Sequence, residues 1–231
     1  MEKQDLSPLE KKLEVRFKDK AFLQEAITHR SYLNENRSYK LPHNERLEFL
    51  GDAVLELSVT EYLFNNYSNP EGELTNWRAA LVNGEMLAKI AGELDIEEHI
   101  LMSKGEKKDK GKARNYILAN AMEAIIGAIY LDQGFKKADE FIKSNIITKL
   151  PDILKEKTYL DPKSYFQEKA QEEAQVTPHY EIIKEWGPDH DKKFISAVFL
   201  DSEKVAEGEG CSKQESQRNA AENGLKAKNW K

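Results

Sequence analysis

The sequence predicts an α+β chain. An all-α domain over residues 1–154 is followed by a linker at 155–161 and a small α-β-β-β-α domain over 162–231. Three observations predict this. Apolar residues in the first part recur three and four positions apart, with only short polar breaks. Residues 155–161 are polar and end at Pro162. Beyond it the period shortens: 180–186, 193–200 and 204–209 alternate or are β-branched, with Gly187-Pro188 and Asp201-Ser202 as turns. A chain of 231 residues has room for one large or two modest domains.

Leu6, Leu9, Leu13 and Phe17 predict a helix over 6–17, and 20–27 a second short one. In Thr28-His29-Arg30-Ser31, His29 reads as a hydrogen-bonded structural histidine, and no catalysis is assigned to the segment. Residues 34–41 form a polar loop that Pro42 closes. Asn44 is then placed to cap a helix running to about residue 65, its side-chain oxygen accepting from a backbone N–H one turn in. Asn69-Pro70 and Gly72 mark a turn. Residues 74–94 read as one long helix, with Glu71 just before it, where a helix N-terminus favours a carboxylate. Residues 116–131 are apolar on nearly every side, and 135–154 continue as helix with a break near Pro151. In the second domain a helix over 162–175 precedes the strands. A last helix follows over 212–228, capped by Ser212, with Ala220, Ala221 and Leu225 on its packing face. There are no internal repeats or low-complexity segments.

The helix that opens at Asn44 carries the chemistry. At about 100° per residue, Glu45, Glu48, Asp52 and Glu56 share a stripe roughly 80° wide. Leu47, Leu50, Val54 and Leu57 fall opposite, on the expected core face, while Phe49 and Leu55 flank the acids. Like charges at this spacing repel by a few tenths of a kcal/mol per pair. Arg46 points elsewhere, so the stripe calls for a cation from outside the sequence. Carboxylate oxygens suit a hard divalent ion such as magnesium. A solvated acidic face has the same spacing. The run 116–131 adds a second acidic position: only Asn120 and Glu123 interrupt it, on one face. A Glu among apolar residues needs a partner. Either Arg46 pairs with Glu123, or both helices hold one cation in an oxygen cage open to a phosphate.

Composition sets limits. One cysteine, Cys211, excludes an intrachain disulfide and fits a reducing cytoplasm. Residues 1–14 are polar, so no secretory leader is expected, and no apolar run is long enough to span a membrane. Net charge is −6, and from Leu160 onward 11 Lys/Arg face 14 Asp/Glu, so nucleic-acid contact has to come from local basic patches. One such patch is 104–114, with six basic residues against two acids. It leads straight into the Asn120/Glu123 helix and suits a phosphate-bearing polymer.

The segment 43–55, HNERLEFLGDAVL, resembles the signature of bacterial ribonuclease III. Thr28–Ser31, Glu71-Gly72-Glu73-Leu74, Arg78-Ala79-Ala80-Leu81-Val82 and 117–132 resemble the family's other blocks, in the same order. The last third resembles its double-stranded-RNA-binding domain. The resemblance implies a double-strand-specific endoribonuclease dependent on magnesium (Mg2+), with manganese (Mn2+) able to substitute. It implies a homodimer through the endonuclease domain that leaves 5′-phosphate and 3′-hydroxyl ends and processes ribosomal and other precursor RNAs. It places Asp52 and Glu123 at the catalytic positions and Glu48, Asp52 and Glu123 at the metal. Glu45 and Glu71 become further site acids nearer the scissile strand. Asn120 departs from the pattern, since the family commonly has Asp there. An amide oxygen can still ligate a metal, though with one negative charge fewer. The alternative is a dimeric RNA-binding protein whose site Asn120 has weakened too far to cut. In the second domain the resemblance assigns Gln167, Glu168 and Gln171 to a minor groove, Gly187 to His190 to the next one, and Lys213 to phosphate. Gln214 and Glu215 stand where the family often has Lys or Arg, which weakens that phosphate contact.

Overall fold

The computed structural model describes residues 5–108, 111–188 and 192–230, including every side chain there except that of Lys112. The chain divides into two compact units, Met1–Tyr159 and Leu160–Lys231.

The first unit is helical. Helix α1 (Ser7–Leu13) ends at Glu14, whose backbone is left-handed at φ 53°, so it is shorter than its apolar spacing predicts. Val15 and Phe17 stay in the core on extended chain, and the buried Glu10 carboxylate accepts from the Phe17 N–H. Asp19 caps α2 (Lys20–Ala26), and His29 caps α3 (Arg30–Glu35), a short helix for which the sequence gives no expectation and whose last two residues enter the expected loop. Helix α4 (Glu45–Asn66) opens after Asn44, but the Asn44 side chain makes no cap hydrogen bond. Its amide instead donates to the Ala26 carbonyl at 3.2 Å, tying α4 back to α2.

The helix expected over 74–94 is two helices, α5 (Glu71–Val82) and α6 (Gly84–Glu93). Asn83 divides them. Its Oδ1 accepts from the Met86 N–H while its Nδ2 donates to the Ala79 and Ala80 carbonyls, so one amide closes one helix and starts the next. Glu71 is therefore the first residue of α5 rather than the residue before a helix. Helix α7 (Lys112–Gln133) is central and packs on α2, α4, α6 and α8 (Phe135–Asn145). The break after α8 falls at Ile146, and Pro151 lies in the first turn of α9 (Leu150–Glu156), where a missing N–H costs nothing.

One expectation about α4 is wrong in a way that matters. Leu57 is 58% exposed, whereas Leu55 is fully buried. Burial follows the side of α4 that meets α7, and that side is turned toward Leu55, Gly51 and Val59 relative to the apolar spacing.

The second unit is an antiparallel sheet in the order β1 (His179–Trp186), β2 (Lys193–Leu200), β3 (Glu203–Gly210). Helices α10 (Pro162–Ala174) and α11 (Lys213–Ala227) pack with it around Phe166, Ala170, Val198, Leu200, Ala220, Ala221 and Leu225. Ser212 accepts from the Glu215 N–H and Glu215 from the Cys211 N–H, a reciprocal cap that fixes the start of α11. Gly208 lets β3 touch the α11 backbone: a Cβ there would sit 2.1 Å from the Ala220 nitrogen. The expected α+β class, helical first and α-β-β-β-α second, is the one observed.

Candidate active site

Two glycines bring α4 and α7 into backbone contact. A Cβ on Gly51 would lie 1.8 Å from the Glu123 carbonyl oxygen, and one on Gly127 would lie 2.3 Å from that of Leu47. Side chains beside this crossing have no freedom to be far apart. On α4 they are Glu48 and Asp52, either side of Gly51; on α7 they are Asn120 and Glu123, the turns before Gly127.

The electrostatics follow from that contact. Burial is the main cause of a Glu123 carboxyl pushed up to about 7, and the charges of Asp52 and Glu48 add to it. The Glu48 carboxyl is also raised, first by burial, then by Glu45 and Asp52, while a hydrogen bond with the Asn120 side chain pulls it back. Glu48, Asp52, Asn120 and Glu123 thus act on one another across the crossing, and every charge acting on Glu123 is negative. The alternative partner, Arg46, acts on Glu25 instead. Glu56 leaves the cluster for Arg78, at 2.9 Å.

Glu45 stands at the edge, 3.2 Å from Arg30 and 3.7 Å from the His43 ring. Glu71 is exposed at the start of α5, accepts from the Thr75 hydroxyl at 2.9 Å, and is not among the groups acting on Glu48 or Glu123. In the second unit Gln167, Glu168 and Gln171 line a shallow depression along α10 with Ser164 and Glu172. Lys213 opens α11, its ammonium 6.0 Å from the centre of the Phe194 ring. His190 lies outside the described residues, as does Asp189.

Comparison with known proteins decides the family. A ribonuclease-III-like family model matches residues 19–150. The chain belongs to the ribonuclease III family. Residues 162–228 match the double-stranded RNA binding motif. The ribonuclease 3 of Oceanobacillus iheyensis is 44% identical over 96% of this chain and 97% of its own length. That of Enterococcus faecalis is 42% identical over 98% and 99%. Among solved structures, the nuclease domain of ribonuclease III from Campylobacter jejuni is 46% identical, with a TM-score of 0.57, over 64% of this chain and 99% of its own. The protein is a double-strand-specific endoribonuclease, and its second unit is a double-stranded-RNA-binding domain. No helix among the described residues is long and apolar enough to cross a membrane.

Reading the sequence for acids alone misses Gly51 and Gly127, which bring the ribonuclease III carboxylates together. A signal for them exists. Each is a glycine in the interior of a long helix, where glycine costs about 1 kcal/mol relative to alanine, so close packing is the natural reason for it.

Proposed function

We propose that Glu48, Asp52, Asn120 and Glu123 hold a divalent cation, magnesium with manganese as a substitute. With it the protein hydrolyses duplex RNA to 5′-phosphate and 3′-hydroxyl ends. The observation that carries the reading is Glu123: half-buried on an apolar helix, pushed up to about 7, and faced by acids alone. A site that concentrates carboxylates without a cation from the chain is built for one from outside it. All four donors are oxygens, which fits a hard ion. Among the described residues no three His, Cys, Asp or Glu side chains already surround one point, so the fit rests on donor chemistry and on the mutual repulsion of the acids.

When bound, the cation supplies positive charge that stabilises the phosphoryl and leaving oxygens and favours ionisation of the attacking water. The chain's own contribution is placement. The α4–α7 crossing fixes the donors on rigid helices, and Glu123 must surrender its proton for the site to load. A hydrogen bond with the Asn120 side chain favours the charged form of Glu48, against the burial and neighbouring acids that oppose it. Glu45, held by Arg30 at the edge of the site, faces the RNA strand in this reading, and Glu71, exposed at the start of α5, is assigned to the strand by the family resemblance alone.

The rest of the chain supplies the duplex. Gln167, Glu168 and Gln171 on one exposed face of α10 suit minor-groove edges and ribose hydroxyls, with His190 reaching a second groove and Lys213 a phosphate. Lys104, Lys107 and Lys108, all exposed, offer further phosphate contacts within the cutting unit. Phe49, Leu57 and Phe64 are 81%, 58% and 77% exposed along one side of α4, an apolar stripe that a second copy of the chain would cover. Two sites in such a dimer would cut the two strands. Precursors of ribosomal and other RNAs in the cytoplasm are the substrates this reading assigns.

Cleavage of an end-labelled duplex, with and without magnesium, tests it. Cutting should require the ion and leave 5′-phosphates. Equal cutting in chelator would overturn the cation site.

A further inference from the structure

The segment Thr28–Ser31 touches the site above only through Arg30, yet three elements are fastened to it. The start of α4 is one: the Asn44 N–H donates to the Thr28 carbonyl at 2.9 Å, and Arg30 pairs with Glu45. The chain before the basic loop is the second. The His29 N–H donates to the Leu101 carbonyl at 2.9 Å and the Leu101 N–H to the Ile27 carbonyl at 2.8 Å, a short parallel bridge. The third is the turn over residues 103–108. The Ser103 N–H donates to the Ser31 hydroxyl at 3.0 Å, and that hydroxyl lies 2.8 Å from His29 Nδ1.

The direction of this chain is fixed. His29 Nδ1 accepts from the Ser31 N–H, so it carries no proton, and the Ser31 O–H donates to it. Burial holds the His29 ring below its usual range, which keeps it neutral and able to accept. The Ser31 oxygen is thereby aimed at Ser103. Ser103 then organises the turn: its carbonyl accepts from the Lys107 N–H at 3.1 Å and its hydroxyl from the Glu106 N–H at 3.2 Å. From the same helix as Ser31, Glu35 accepts from the Lys104 N–H at 3.3 Å. The turn carries Lys104, Lys107 and Lys108, all exposed.

We infer that Ser31 is a positioning residue for the RNA. It clasps the lysine turn 103–108 to the segment that also anchors the acidic helix, so that phosphates held by the lysines stand in register with the carboxylates. The inference rests on the reading of these lysines as phosphate contacts. The Ser31 hydroxyl reaches the turn alone, while α4 is tied through the Thr28 carbonyl and Arg30, so loosening the clasp should weaken RNA capture without altering the bond-breaking groups.

A double-mutant cycle tests this. Ser31→Ala should raise KM for a short duplex roughly five-fold, about the worth of one hydrogen bond, with kcat unchanged. Ser31→Thr, which keeps the hydroxyl, should restore it. Made on top of Lys104→Ala, Lys107→Ala and Lys108→Ala, the Ser31→Ala step should cost less than about two-fold, because there is no lysine left to position. Should the alanine protein not fold, Ser31→Cys keeps the volume with a poor acceptor and takes its place in the cycle. If the triple lysine protein binds duplex as tightly as its parent, the loop reading fails and the positioning role with it. If the lysines matter but Ser31→Ala costs the same in both backgrounds, or lowers kcat with KM unchanged, Ser31 does not act through the turn.

Discussion

The Glu123 carboxyl is pushed up to about 7 because burial and two neighbouring acids all oppose its charge. Unfolded, it would ionise near 4.5. Folding therefore takes up a proton between these values. The stability gained is complete below the lower one and lost as pH rises through the upper. In chelator, the Tm should fall from about pH 5 to about pH 8, and Glu123→Gln should fall less steeply. Glu48, shifted in the same direction, leaves a residual slope. Equal slopes for both proteins would show that Glu123 is not the strained acid. Asn120→Asp adds a charge to the same site. We expect the magnesium midpoint of cleavage to drop about ten-fold, the scale on which groups around a metal tune affinity. An unchanged midpoint and rate would mean that position 120 does not face the cation. Glu48 and Asp52 were legible in the sequence from acid spacing, and Asn120 and Glu123 from the apolar run that they interrupt. Leu55 and Leu57 were not, because which flank of α4 is buried depends on α7, and helical periodicity is silent about partners.

At the scale of the element, the α4–α7 crossing is the feature on which the site depends. Gly51→Ala would push a methyl group into the Glu123 carbonyl, backbone against backbone, with no flexible side chain to give way. We expect a loss of about 3 kcal/mol or more in urea unfolding, together with loss of cleavage. Gly92→Ala in α6 is the control, since nothing lies within 4 Å of the added methyl. It should be neutral or stabilise by up to about 1 kcal/mol. Similar effects of the two substitutions would contradict the crossing. Most helices were legible from period, the short α3 was not, and neither were the ends. At Asn83 a single side chain ends one helix and caps another within an unbroken apolar pattern. At Pro151 the strongest breaker in the sequence proved to be a starter, because proline is welcome in a first turn.

For the whole molecule, the proposed dimer predicts that the exposed stripe on α4 pairs two chains. Leu57→Asp should give a monomer by sedimentation velocity with its helical content intact; an unchanged sedimentation coefficient would place the interface elsewhere. The order of the second unit was legible because its turns are written in Gly-Pro and Asp-Ser, whereas an acidic net charge spoke against RNA and was overridden by local detail. We propose a division of labour in which carboxylates of the first unit cut and other surfaces hold the duplex. Glu123→Gln tests it most directly, with cleavage and duplex affinity measured side by side in magnesium. Cleavage should be lost while the Kd for duplex RNA stays within about two-fold, because the substitution removes a proposed cation ligand and no phosphate contact. Cleavage near the parent rate, or binding lost together with cleavage, would contradict it.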